Sequence, residues 1–220
     1  LKRIALALAL LAVLFAAGPG EARKRQVRDA TNPSALIAAE IAFNRMAQEK
    51  GQWTAFREFS AKDAVMFVPQ PVNAQTWLKG RADPPASVVW QAHQVWMSCD
   101  GTLGATRGAW QRPDGSNGYF TTVWQRQKKG DYKWVMDQGD VLAEPLDAPD
   151  LIAGRIADCR SKPGVRPLPQ WTDGELRGGE SADGTLYWHV RVRADGRRHV
   201  AIAFWDGAQW QSAVSAEAGP

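Results

Sequence analysis

Cysteine is nearly missing from this chain: Cys99 and Cys159 are the only two in 220 residues. That excludes a cysteine-rich disulfide scaffold and a thiolate metal cluster. Histidine is as sparse, with three, and no His/Cys spacing of the metal-binding kind occurs, so no metal is expected. Charge of one sign is short too. The 27 basic and 23 acidic side chains leave only +4. Much of that excess sits at the start, where Lys2, Arg3, Arg23, Lys24, Arg25 and Arg28 face only Glu21 up to that point. The remainder is close to neutral, so no nucleic-acid partner is expected. Nucleophile elbows, phosphate loops and zinc helices are also missing, and no cofactor is expected.

What is present is a core. The apolar fraction is 45%, with 11 tryptophans. Residues 1–22 read as a secretory signal: Lys2-Arg3 as the charged start, Ile4 to Ala17 apolar, and small residues from Gly18 to Ala22 for cleavage. The apolar run is about 14 residues against the roughly 20 a membrane helix needs, so no stable span is expected once the signal is removed. The chain is therefore expected in the periplasm or secreted. In such a compartment Cys99 and Cys159 suit one disulfide, while two unpaired thiols remain the alternative.

Asn32-Pro33 has the form of a helix start, and Leu36, Ala39, Phe43, Met46 and Ala47 recur at helical spacing until Gly51. Trp53, Phe56 and Phe59 mark a second short helix. Asp63 to Val68 is a strand and Ala74 to Lys79 a short helix. Ser87 to Cys99 and Thr102 to Trp110 are strands joined by Asp100-Gly101, a strong two-residue turn signal. Tyr119 to Gln127 and Tyr132 to Gln138 form a further hairpin around Lys128-Lys129-Gly130-Asp131. Residues 143–170 carry Pro145, Pro149, Pro163, Pro167 and Pro169 and read as a linker, with a short helix over Asp150 to Cys159. Residues 171–214 read as a small β-meander with strands over Thr185 to Val192, Arg198 to Trp205 and Gln209 to Val214. No internal repeat stands out. Arg191, Arg193, Arg197 and Arg198 make one of its hairpins basic, either as a solvated edge or as a contact for an acidic surface.

Several short motifs in residues 31–142 share one order: Asp63-Ala64-Val65-Met66-Phe67, Pro71-Val72-Asn73, Gly101-Thr102-Leu103-Gly104 with Thr106, Gly108 and Trp110, Thr122-Val123-Trp124, and Trp134-Val135-Met136-Asp137. Together they resemble the SnoaL-like, ketosteroid-isomerase-like branch of the nuclear transport factor 2-like superfamily. The resemblance implies an α+β, cystatin-like fold: a cone-shaped, curved antiparallel sheet packed on N-terminal helices around a pocket. Members include isomerases, cyclases, dehydratases and pure binders. The resemblance does not reach the C-terminal meander.

Turn registers suggest which residues face one another. The Asp100-Gly101 turn sets Gln94 opposite Arg107 and Trp96 opposite Ala105. The last hairpin sets Thr122 opposite Asp137 and Trp124 opposite Val135. A matching register across Asp114-Gly115 would align Gln94, Arg107, Thr122 and Asp137 in one polar row, beside an apolar row with Trp96 and Trp124. A slip of one residue would turn a strand over. The candidate ligand site is therefore Trp96, Arg107, Phe120, Thr122, Trp124 and Asp137, against the alternative of a solvated ion pair. His93, Tyr119 and Asp137 are the candidate proton-transfer groups by residue type. Three functions are expected in order: noncatalytic binding of a small, partly apolar molecule; a cofactor-free isomerase or dehydratase; and a structural module supporting a homodimer.

Overall fold

A computed structural model describes residues 31–219; the expected signal over residues 1–22 lies outside the described residues. The first layer is helical. α1 (Ser34–Lys50) buries Leu36, Glu40, Phe43 and Ala47 along one stripe. Asn32 accepts a hydrogen bond from the Ser34 backbone N–H, which satisfies one of the donors a helix start leaves free. Gly51, at φ 107°, ends α1 and opens α2 (Gln52–Phe59). α3 (Ala74–Leu78) is capped by the Asn73 side chain, which accepts from the Thr76 N–H.

The second layer is a seven-stranded sheet made from β1 (Ser60–Phe67), β2 (Pro71–Asn73), β3 (Val89–Met97), β4 (Leu103–Gln111), β5 (Asn117–Arg126), β6 (Tyr132–Val141) and β7 (Ala153–Ile156). Its order is β2-β1-β6-β5-β4-β3-β7. The class is α+β, as expected, but the sheet is mixed rather than purely antiparallel. β1 runs parallel to β6, and β7 runs parallel to β3. β7 occupies the stretch read as a short helix. Its four residues are all exposed, and it takes up the free edge of β3, where pairing overrides local helix propensity.

A third layer covers the opposite face. β8 (Glu175–Glu180), β9 (Leu186–Val192), β10 (Arg198–Trp205) and β11 (Trp210–Ala218) form a four-stranded antiparallel sheet. The helix-facing core holds Phe43, Trp90, Phe120, Trp124 and Trp134. The core between the sheets joins Trp96, Ala105, Val123 and Met136 to Leu186, Val190, Ile202 and Val214. The expected basic hairpin divides its charges. Arg198 is buried against Gln138 and the Gly139 carbonyl, while Arg193 and Arg197 pair with Asp173 and Asp195.

Two turns fasten the sheets, and they carry a repeat that the sequence reading passed over. Ser98-Cys99-Asp100-Gly101-Thr102-Leu103 and Ser181-Ala182-Asp183-Gly184-Thr185-Leu186 differ at one position. In each turn the aspartate Oδ1 accepts from the serine hydroxyl and from the threonine N–H and hydroxyl. Each Oδ2 then reaches across: Asp100 N–H donates to Asp183 at 2.8 Å, and Asp183 N–H donates to Asp100 at 2.9 Å. Cys99 N–H donates to the Thr185 hydroxyl and Ala182 N–H to the Thr102 hydroxyl. The result is a reciprocal clamp. Beside it Cys99 and Cys159 are joined as a disulfide with Cα atoms 5.7 Å apart, a bridge worth roughly 4 kcal/mol in the chain-entropy picture for so long a loop.

Candidate functional site

The site is built on one register. Across five strands, Val95, Thr106, Thr122, Asp137 and Met66 stand side by side. Gln94 opposite Arg107, Trp96 opposite Ala105 and Thr122 opposite Asp137 all pair as expected. The β4–β5 connection does not follow the expected match: Arg107 pairs with Thr121, and Thr106 takes the place beside Thr122. That one-residue offset sends Arg107 to the other face, so the polar row through Arg107 and Asp137 does not form. Trp124 lies opposite Trp134, not Val135, because a bulge interrupts β6 at Val135.

The six candidate residues therefore separate. Phe120, Thr122, Trp124 and Asp137 belong to the helix-facing side. Trp96 packs in the core between the sheets. Arg107 lies over the Tyr119 ring at 4.4 Å and donates to the Thr121 hydroxyl. Tyr119 is on that outer side too; its hydroxyl donates to the Glu217 carbonyl.

The helix-facing side holds a residue that the sequence reading did not single out. Glu40 is 3% exposed in the middle of the α1 stripe. Trp90 Nε1 donates to its Oε1 at 2.7 Å; Thr106 Oγ1 and Trp124 Nε1 donate to its Oε2 at 2.6 and 3.1 Å. Burial pushes its carboxyl up to about 7, against the pull of those three donors, and the nearby Asp137 charge pushes the same way. The signal was legible: Glu40 follows Leu36 by four residues and precedes Phe43 by three, which sets a carboxylate on the apolar face.

Asp137 is the second acid. Thr122 Oγ1 donates to its Oδ1 at 2.6 Å. Burial pushes it up to about 6, partly offset by that hydroxyl. Solvent still reaches part of the residue. Asp137 lines a cavity of about 290 Å³ with Glu40, Trp53, Phe56, Trp90, Phe120 and Thr122. Trp124 acts behind this wall, through its bond to Glu40.

A larger cavity of about 530 Å³ lies beyond Trp90 and shares Glu40, Trp90 and Trp110 with the first. Its wall includes Ile37, His93 and Leu146. His93 sits at the bulge in β3 and faces this second space, not Asp137. The smaller cavity is the better candidate because it joins an aromatic wall to an acid with unused acceptor capacity. Among the described residues no cluster of three His, Cys, Asp or Glu is arranged for a metal ion. No helix among them is long and apolar enough to cross a membrane.

No protein-family model matches the chain, and no curated protein matches it. Solved structures similar to it include an NTF2-like protein of unknown function from Shewanella baltica, at 12% identity over 50% of this chain and 94% of that one, TM-score 0.39. A candidate ketosteroid isomerase from Parabacteroides distasonis is similar at 14% identity over 53% and 97%, TM-score 0.38. A protein of unknown function with a cystatin-like fold from Methylobium petroleophilum is similar at 6% over 56% and 86%, TM-score 0.36. These names fall in the grouping that the sequence motifs resemble. At such identities and scores the likeness carries nothing about chemistry.

Proposed function

We propose that the helix-facing cavity binds a small, partly apolar molecule whose polar end meets Asp137. One observation carries this reading: an acid held by a single hydroxyl stands in an aromatic-walled cavity of about 290 Å³. A pocket filled by its own tryptophans would instead have supported a structural module; here Trp53, Trp90 and Trp110 line the space. The proposal includes export to the periplasm or beyond, supported by the character of residues 1–22 and by a disulfide suited to an oxidising compartment. Finding the intact 1–22 segment on protein recovered from the cytoplasm alone would remove export.

A ligand-observed NMR screen of the full chain tests the binding. Hits should combine an apolar body with one polar end. Asp137→Asn should weaken them while remaining folded. Hits that bind the variant as tightly as the wild type would take Asp137 out of the site, and an empty screen would take away the site.

Proton transfer is the second reading, favoured by an acid near neutral pH that faces the cavity. Tyr119 does not serve as its donor, because its hydroxyl lies on the other side of the sheet. Catalysis of this kind would exchange a carbon-bound hydrogen of a hit with deuterated solvent, and Asp137→Asn would stop it.

A further inference from the structure

Resting on the proposed binding cavity, the geometry points to a specific ligand class: a small organic cation, a protonated amine attached to an apolar body, whose ammonium group meets Asp137. The wall carries Glu40 and Asp137 and one cation, Arg112. Asp140 also borders the space, with its carboxylate held by the Val141 and Gly219 N–H groups and interacting with the Arg198 charge. Asp137 receives one hydrogen bond, from Thr122, and keeps acceptor capacity on its second oxygen. Among the described residues no lysine, arginine or histidine lies within ion-pair distance of Asp137 or Glu40.

The chemistry of the wall selects among ligand classes. An anion would meet two acids, one buried and one half-buried, and pay for desolvating a third like charge. A neutral alcohol could donate one hydrogen bond to Asp137. An ammonium donates the same bond with charge assistance, roughly twice as strong, and relieves the repulsion between the two acids. The aromatic residues Trp53, Phe56, Trp90, Trp110 and Phe120 suit a cation as well, since a ring face attracts positive charge. The chain already uses that attraction at the rim, where the Arg112 guanidinium sits 4.6 Å from the Trp110 ring centre.

Asp137 and Glu40 both titrate high because burial disfavours their charged forms. A bound cation would draw Asp137 back towards ionisation. Its affinity should therefore fall as Asp137 takes up a proton. The charged groups sharing this wall are Glu40 from α1, Asp140 from β6 and Arg112 after β4. Those contributed by α2, β1 and β5 are uncharged.

The test compares three probes of one shape on the full chain by NMR titration at pH 7.5: phenethylammonium, 2-phenylethanol and phenylacetate. The ammonium should bind at least about tenfold more tightly than the alcohol, with phenylacetate weakest. Asp137→Asn should cut the ammonium's advantage over the alcohol to under about threefold. Should that variant not fold, the wild type is titrated at pH 7.5 and pH 5. Ammonium affinity should then drop severalfold while the alcohol's stays level. Alcohol binding as tight as the ammonium's would overturn the cation inference and leave the apolar cavity intact. No binding by any probe would overturn both. An ammonium preference unchanged in Asp137→Asn, or unchanged at pH 5 where only the wild type can be used, would also overturn the inference.

Discussion

The two faces of the seven-stranded sheet solve the same packing problem with opposite charge. The helix-facing side buries acids: Glu40 under three donors and Asp137 under one. The side facing the second sheet holds guanidinium groups, Arg198 buried and Arg107 half-buried. Arg107 lies on Tyr119, and Arg198 spans Gln138, the Gly139 carbonyl and the Phe67 ring. Arg198 has its partners from the chain itself, while Arg107 makes one hydrogen bond and borders a separate space with His93 and Leu146. Asp137 does not use its full acceptor capacity, and it stands beside the aromatic-walled cavity. A buried polar group whose needs are met inside the fold is structure; one left partly unmet beside open space is a place for a ligand.

The largest way to break this contrast is Glu40→Ala. It leaves Trp90 Nε1 and Thr106 Oγ1 without their buried acceptor and Trp124 Nε1 with the Thr106 hydroxyl alone. At about 1–3 kcal/mol for each orphaned donor, the loss should be on the order of 4 kcal/mol in chemical denaturation. Val123→Ala, on the other face of the same sheet, removes only aliphatic contact and should cost about 2 kcal/mol. Equal losses would mean that the Glu40 cage contributes packing and little else.

The acids also give the helix-facing side a pH signature. Glu40 titrates at about 7 in the fold against 4.5 ordinarily, and Asp137 at about 6 against 3.8. Folding therefore favours their protonated forms. The stability this provides is fully present below their ordinary values and is lost as pH rises through 6 and 7. Glu40 alone should account for on the order of 3 kcal/mol. Asp83 and Asp183, held low by hydrogen bonds, act in the opposite sense: their contribution is present at neutral pH and falls away in acid. Burial holds His93, His189 and His199 below their ordinary value, which makes stability rise with pH between 5 and 7 and opposes the acids there. The acids' share is therefore the change that Glu40→Gln makes in the slope of urea midpoint against pH. The variant's midpoints should gain on the wild type's as pH rises, and an unchanged slope would remove Glu40 from the pH response.

How much of this was legible follows from what each signal depends on. Asp100-Gly101 is a two-residue turn, so its local chemistry dictated the pairing of Gln94 with Arg107. The β4–β5 loop is closed differently, by Arg112 N–H to the Ser116 carbonyl and by Asp114 accepting from Ser116. Nothing in its residues announced a shift of one position, and that shift decided which face Arg107 occupies. Glu40 could have been found by asking which polar residue falls on the α1 stripe. The paired Ser-x-Asp-Gly-Thr-Leu turns were plainly visible too. β8 was not: Glu-Leu-Arg-Gly-Gly-Glu is exposed throughout, with no alternation, and is a strand because β9 pairs with it.

The clamp offers a middle-sized test, since it holds the two sheets whose faces differ. Asp100→Ala and Asp183→Ala each remove bonds within a turn and one bond across it. Each should lower stability by about 2 kcal/mol. Because each aspartate accepts from the other's N–H, the double variant should fall short of the sum by about 1 kcal/mol. Full additivity would show that the turns are stable separately and do not act as one fastening.

Arg107→Met sharpens the comparison with the smallest effect. The methionine keeps most of the buried length of the side chain, losing the stacking on Tyr119 and the bond to Thr121. That should cost about 1 kcal/mol. The more telling measurement is ligand affinity. Arg107 and Asp137 would have acted on one ligand had the β4–β5 register matched; in the fold a sheet lies between them. Phenethylammonium should therefore bind Arg107→Met as it binds the wild type. A severalfold change would mean that charge on the outer face is felt through the sheet, and the two faces could no longer be treated as separate environments.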